Sequence, residues 1–263
     1  MEKIIAIFCS CDRKIKFSEY PDYKSSKYEN CVFTKLNVFD GEKTTHYELD
    51  KLKDIGFLFE KNVTLIAFNA YFHFSLLFHH IDKQNLNFDL GQCGATCCVT
   101  DLCKLTNQDL PKYTLPTAID KFKECIQLVN NNIILRELSS FWICHGGERS
   151  KKGGKWLLFA NKNKLQSIWE VVIKNHNTIK YDMARVSTMA VNIWGGKKET
   201  GVVEIFISGK DFEKIGKIVA DSCNSVLKES NVEHIFYKTN KQTERGTRFN
   251  GVKKNSLMKL KIS

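Results

Sequence analysis

The sequence predicts an α/β domain with a mixed sheet, followed by an α+β domain with a curved antiparallel sheet and helices on one face. Three observations lead there. Short apolar, partly β-branched runs alternate with helical apolar spacing across roughly the first 130 residues. Around Asn130–Asn132 the composition changes, and strands crossed by two long amphipathic helices follow. Charge is divided the same way: residues 1–138 carry 17 Lys and Arg against 18 Asp and Glu, and residues 139–263 carry 23 against 11. The expected domains are therefore 1–132 and 139–263.

In the first domain Ile4–Phe8 reads as a buried strand. Cys31–Phe39 is a second strand. Asp40-Gly41 makes the turn after it, and Thr44–Leu49 is the returning strand. Leu49, Leu52, Ile55 and Phe59 have helical spacing. Val63–Phe68 has the make-up of a central strand. Phe72–Ile81 then sets Phe72, Leu76, Leu77, His80 and Ile81 on one helical face. Thr96–Val99 predicts a strand, Asp101–Leu105 opens a helix, and Leu115–Cys125 is a helix entered through Pro116.

In the second domain Phe141-Trp142 starts the new pattern, and His145–Gly154 reads as a Gly- and charge-rich loop. Trp156–Ala160 is a strand. Leu165–Ile173 is a helix whose apolar face is Leu165, Ile168, Trp169 and Val172. Ala184–Ile193 and Val202–Ile207 read as adjacent strands joined around Gly195-Gly196. Ser208-Gly-Lys-Asp211 has the form of a capping box. The helix after it aligns Phe212, Ile215, Val219, Cys223 and Val226, and Glu233–Lys238 is the last clear strand. From Thr239 onward the chain is basic and poor in apolar residues.

The net charge of +11 resides in the second half, which points to a polyanionic partner such as nucleic acid, nucleotide phosphate or a membrane surface. An even bias toward lysine would have raised both halves alike. No run approaches the ~20 apolar residues of a membrane span, and no secretory leader is expected. The ten cysteines lie mostly within apolar runs, so reduced buried thiols in a cytoplasmic protein are the expectation. Cys93, Cys97, Cys98 and Cys103 lack paired knuckle spacing and a well-spaced histidine, so no metal or other cofactor is expected. The AT-rich flavour of the composition hints at a virus or an AT-rich host.

Three segments in order resemble the DnaQ-like, ribonuclease H-like 3′–5′ exonucleases. Ile4–Asp12 stands where that family has a strand ending in Asp-x-Glu. Leu65–Phe78 stands where it has an apolar strand, a His-Asn-x-x-Phe-Asp motif and a helix. Val99–Leu105 with Thr114–Phe122 is similar to its Asp-Thr-Leu strand and following helix. The resemblance implies a ribonuclease H-like fold over about 120 residues. Its chemistry needs clustered carboxylates that hold two metal ions about 3.5–4 Å apart. Here Cys9 and Cys11 replace the first pair, His73 replaces the second-motif carboxylate, and no His-x-x-x-x-Asp motif follows Lys123. Thiols and imidazole are poor magnesium ligands. The resemblance therefore implies a dismantled active site at Cys9, Cys11 and His73.

Phe141–Phe159 followed by Leu165–Trp169 resembles the cap-binding translation initiation factors, in which a loop Trp precedes a basic Gly-Gly-(Arg/Lys)-Trp strand. It is at least as similar to the basophilic-leukaemia-expressed protein family, and that likeness extends to Ala184–Thr188 and Phe236–Thr243. The resemblance implies an RNA or nucleotide ligand, capped or not. A methylated guanine is cationic and stacks between indole rings, while Arg and Lys take the phosphates. By position Trp142 would be one stacking ring, and Lys155 and Arg185 phosphate contacts. Ile143 stands where the family has Glu, and no counterpart of the second stacking Trp precedes Trp142.

Beyond the resemblance, Lys151, Lys152, Lys155, Lys197, Lys198, Lys238, Lys241, Arg245, Arg248, Lys253 and Lys254 cluster in three segments. On one rim of a curved sheet they would bind RNA phosphates. Trp142, Trp194, Tyr237 and Phe249 are interleaved candidates for base stacking. Trp156 and Trp169 are expected in the core, and Trp142 is either a core anchor or a stacking platform. Three readings follow. One is a non-catalytic RNA-binding protein with a pseudo-nuclease scaffold. Another is a protein-interaction adaptor or inhibitor. The third is an enzyme: a metal-dependent exonuclease with an atypical site, or a lyase or phosphodiesterase using His145, His176 or His234.

Overall fold

The computed structural model describes residues 3–12, 23–25, 28–29, 31–129, 131–150, 153–191, 199–209, 211–244 and 258–262. The chain is a mixed α/β protein with one mixed five-stranded sheet and one antiparallel six-stranded sheet. It divides into two compact units. The first comprises Met1–Phe141 and Met189–Lys198, and the second Trp142–Thr188 and Glu199–Ser263. Among the described residues no helix is long and apolar enough to cross a membrane.

In the first unit the strands are β1 (Lys3–Cys11), β2 (Phe33–Phe39), β3 (Thr44–Tyr47), β4 (Val63–Ala67) and β5 (Ala95–Cys98), in the order β3-β2-β1-β4-β5. The β1–β4 and β4–β5 pairs are parallel, and β1–β2 and β2–β3 are antiparallel. Every residue of β4 is buried, as a strand covered on both faces requires. Alternation sorts the side chains into two cores. Ile5, Ile7, Val63, Leu65 and Ala67 pack with helix α1 (Ala70–Lys83) on one side. On the other, Ala6 and Ile66 pack with α2 (Val99–Leu105) and α3 (Leu115–Leu128).

Local chemistry sets the element ends. Asp40 Oδ1 accepts the Glu42 and Lys43 N–H groups in the β2–β3 turn, where Gly41 has φ +101. Thr114 and Thr117 cap α3 reciprocally, with Pro116 in its first turn. Leu49–Phe59 is a 3-10 helix, and its buried Leu52, Ile55 and Leu58 recur every third residue, which matches three residues per turn. Where the composition changes, Asn131 and Asn132 lead into a short helix. Asn132 accepts the Leu135 N–H and caps a short helix, α4 (Ile133–Arg136); Asn130 lies outside the described residues.

In the second unit the strands are β6 (Trp142–Gly146), β7 (Gly154–Asn161), β8 (Met183–Ser187), β9 (Thr200–Ile207), β10 (His234–Thr239) and β11 (Met258–Lys261). Their order is β11-β10-β7-β9-β8-β6, and every pairing is antiparallel. The helices are α5 (Leu165–Lys174), α6 (His176–Ile179), α7 (Phe212–Ser222), α8 (Asn224–Glu229) and α9 (Asn240–Glu244). Trp156, Leu158, Ala184, Val186, Val203 and Ile205 share the buried face of this sheet. Helices α5 and α7 pack there: the Trp156 indole N–H donates to the Phe212 carbonyl at 3.0 Å, and Gly201 approaches Leu165.

Five expectations are corrected. The loop read from His145 begins after Gly146, because His145 and Gly146 pair with Ala184 and Met183. The strand predicted over 184–193 ends at Ser187. The Met189 amide donates to the Ile134 carbonyl, the Val191 amide donates to Thr96 Oγ1, and both side chains are buried in the first unit. The expected capping box does not close: Asp211 is the N-cap of α7 without a side-chain bond, and Ser208 Oγ donates to Asp182 instead. The helix read through Val226 breaks at Cys223 into α7 and α8, and β11 adds a strand in the basic tail.

Candidate nucleic-acid interface

Strand register places two rows of side chains on the face of the second sheet opposite Trp156. Cys144, Arg185, Glu204, Leu157, Phe236 and Lys259 form one row across all six strands. Two residues along, Gly146, Met183, Phe206, Lys155 and Lys238 form the next. Side chains alternate across a strand, so charged and aromatic residues here are the counterpart of the apolar set under the helices.

Glu204 organises the middle of this face. Its Oε1 accepts from Lys155 Nζ at 2.7 Å, and its Oε2 accepts from Arg185 Nε at 2.7 Å and makes an ion-pair contact with Arg185 Nη2 at 2.7 Å. Lys155 and Glu204 side chains are 2% exposed and that of Arg185 is 24% exposed. The Arg185 guanidinium carbon lies 3.9 Å from the Trp142 ring centroid, within cation–π range. Arg149, Lys155 and Arg185 all approach the Phe206 ring, at 5.8, 5.1 and 5.2 Å. Buried charges persist only when paired, and Glu204 serves two cations at once. The set of Lys155, Glu204 and Arg185 carries one net positive charge.

The proposed ligand contacts fall into separate groups. Trp142 and Arg185 are brought together and are partly open. Lys155 is buried in its ion pair, so its charge fixes Glu204, and Glu204 in turn holds Arg185. Lys238 is buried beside Lys155, and Lys241 is exposed on α9. Lys151, Lys152, Trp194 and Arg245 lie outside the described residues, as do Lys197, Lys198, Arg248, Phe249, Lys253 and Lys254. Tyr237 is no stacking platform: it lies on the helix side, 2% exposed and stacked on Phe212 at 4.5 Å. Burial pushes its hydroxyl pKa up. One face of Trp142 is occupied by a guanidinium, so a cationic methylguanine stacking there would first have to displace Arg185.

Sequence reasoning missed Arg149, Glu204 and Phe206. The signal for Glu204 was a carboxylate within an apolar strand, at a position whose cross-strand neighbours are Arg185 and Leu157.

Of the histidines considered for catalysis, His145 and His176 meet at 5.3 Å between ring centroids. Tyr181 joins them: its hydroxyl bonds His145 Nδ1 at 2.7 Å, and its carbonyl accepts from His176 Nε2 at 3.1 Å. Burial raises the Tyr181 pKa to about 12, so the phenol stays protonated. His234 lies on the opposite sheet face, in register with Lys261.

In the first unit the positions that the exonuclease resemblance makes ligands do come together. The Cys9 N–H donates to His73 Nδ1 at 3.1 Å, and the Cys9 thiol donates to the His73 carbonyl at 3.2 Å. Cys11 follows two residues on, past a bulge in β1. Burial lowers the His73 pKa to about 3 and raises that of Cys9 well above the ordinary thiol value. Both are neutral, and both are already engaged with each other. Magnesium demands oxygen ligands in near-octahedral array. These residues do not fit a two-metal centre. Among the described residues no group of three or more His, Cys, Asp and Glu side chains is placed to hold a metal.

Compared with family models and with curated proteins, the chain matches none.

Proposed function

We propose that this chain is a non-catalytic RNA-binding protein. Its second unit takes the RNA, or an RNA end, on the face that carries Arg185, and its first unit is a degenerate exonuclease-like scaffold. The observation that carries the reading is the Arg185 guanidinium, held by Glu204 and Trp142 with its remaining terminal nitrogen, Nη1, making no hydrogen bond among the described residues. A guanidinium fixed in advance loses little freedom when it binds a phosphate. Arg149 and Lys241 are exposed cations of the same unit, within a half that holds the whole excess of positive charge.

The scaffold reading is supported by β1 at the centre of a mixed sheet and by the meeting of Cys9 with His73 on the helix after β4. That is the juxtaposition the exonuclease resemblance implies, with neutral groups in place of carboxylates. The fold resemblance of the second unit to cap-binding factors is supported by its antiparallel sheet with helices α5 and α7 on one face.

Tryptophan fluorescence tests the reading. Trp156 and Trp169 are buried, and a quench that disappears in Trp142→Ala is assigned to Trp142. Titration with a short uncapped RNA, GTP and a methylated cap analogue is expected to show quenching by RNA without methyl preference, lost in Trp142→Ala. Silence with all three ligands would overturn the proposal in favour of a protein-binding adaptor.

A further inference from the structure

The same sheet face has a second chemistry beyond the Arg185 cluster. Phe159 on β7 is 44% exposed, far above the neighbouring Leu158 and Ala160 on the buried side. Its ring centroid is 6.1 Å from that of Phe236 on β10, and His234 lies 6.5 Å from Phe236. Lys259 of the edge strand β11 holds its ammonium 5.9 Å from the Phe236 ring, and Lys261 faces His234 in register. Both lysines are exposed. Phe236 and Arg185 occupy the same cross-strand row, separated by Leu157 and Glu204.

An aromatic pair across two strands adds to sheet stability, but that role asks for no open ring and no cations beside it. Flat aromatic side chains at the exposed end of a sheet face, beside exposed lysines, are what unpaired bases need. Each base stacks on a ring face, and the backbone phosphates meet the cations. A duplex hides its base faces and would offer only phosphates. An acidic protein surface would satisfy the lysines and leave the rings without π partners.

We infer that Phe159, Phe236 and His234, with Lys259 and Lys261, form a base-stacking platform for single-stranded RNA. The inference rests on the RNA-binding reading and adds the class of RNA and the residues that hold its bases.

The test compares a 12-nucleotide single-stranded RNA with an oligomer of equal length and charge that lacks bases, by fluorescence anisotropy. The full chain should bind the base-bearing strand at least about tenfold more tightly than the abasic one. Phe159→Ala should remove most of that preference while leaving abasic binding unchanged, and Phe159→Tyr should keep it. Phe159 is exposed, so its loss leaves the core intact; unchanged thermal unfolding of each variant verifies this. If RNA binds but Phe159→Ala and Phe236→Ala retain the full base preference, the platform is refuted and the RNA-binding reading stands. If neither oligomer binds, both proposals fall and the open rings belong to a protein contact.

Discussion

Lys155 Nζ and Glu204 Oε1 meet at 2.7 Å in the middle of an antiparallel sheet, with both side chains 2% exposed. Lys155 pairs across the other side with Lys238, so two lysines stand directly opposite each other on neighbouring strands. Like charges in that position repel, and Glu204 offsets the repulsion by neutralising one of them. Its second oxygen reaches Arg185, which links the buried pair to the partly exposed cation above Trp142. The burial of Lys155 and the proposed binding position of Arg185 are thereby tied to one carboxylate.

Glu204→Gln should accordingly be among the most damaging single changes in the second unit. It leaves Lys155 buried beside Lys238 with its carboxylate partner gone, and such removals cost about 3–5 kcal/mol. Adding Lys155→Met to Glu204→Gln should recover part of the loss, because the stranded charge is gone. Urea denaturation of the wild type, both single variants and the double variant measures this. Strict additivity would show that the pair is not coupled.

The periodicities that were strong in the sequence have direct counterparts in the structure. Val63–Ala67 is buried throughout as a central strand, and the Leu165, Ile168, Trp169, Val172 stripe is buried on α5. What was not legible depended on partners distant in the chain. Ala184–Ile193 is uniformly strand-like, yet Met189 and Val191 are taken by Ile134 and Thr96, over fifty residues away. Tyr237 and Phe236 are adjacent aromatics with equal claims to stacking, and only register decides that the first faces helix α7 and the second faces outward. Glu204 was invisible as a site residue because its meaning comes from Lys155 and Arg185 on the two flanking strands. The expected neutrality at Cys9 and His73 was readable from residue type, whereas their mutual hydrogen bonds were not.

Acid should destabilise the first unit through its histidines. Burial lowers His73 to about 3 and His80 to about 4, the latter beside the His79 ring. Both folded values lie below the unfolded value, near 6.5. The unfolded chain therefore binds protons that the folded chain refuses. Stability falls as pH drops below about 6.5, by about 1.4 kcal/mol per pH unit for each group, until His80 titrates near 4 and His73 near 3. His80→Leu should roughly halve the slope between pH 6 and pH 4.5, as read from urea midpoints at each pH. An unchanged slope would count against the assignment.

Salt dependence should separate phosphate contacts from structural charges. Each phosphate neutralised on a single strand contributes about 0.7 to the slope of log affinity against log salt. Arg185→Ala should lower that slope by about one such increment and weaken binding to all sequences alike. Tyr237→Phe should leave affinity and slope unchanged, since that ring is stacked on Phe212 beneath the sheet. Equal effects of the two substitutions would mean that the binding face is wrongly placed.

Gly216 provides a test of how tightly the helices lie on the second sheet. It sits within α7, where replacing Gly with Ala usually gains about 1 kcal/mol of helix stability. A Cβ at this position would run into the Trp156 indole at Cζ2, Cε2 and Cη2. That ring is fully buried, and its N–H is fixed on the Phe212 carbonyl at 3.0 Å, so it has no room to turn. Overpacking of this kind costs about 1–3 kcal/mol and more when backbone must move. The clash therefore outweighs the propensity gain, and Gly216→Ala should lower the urea midpoint. Trp156→Phe placed in the same chain removes the atoms in conflict, so Ala at 216 should be less damaging there than beside Trp156. If Ala proves stabilising in the wild-type background, the helix stands further from the sheet than described.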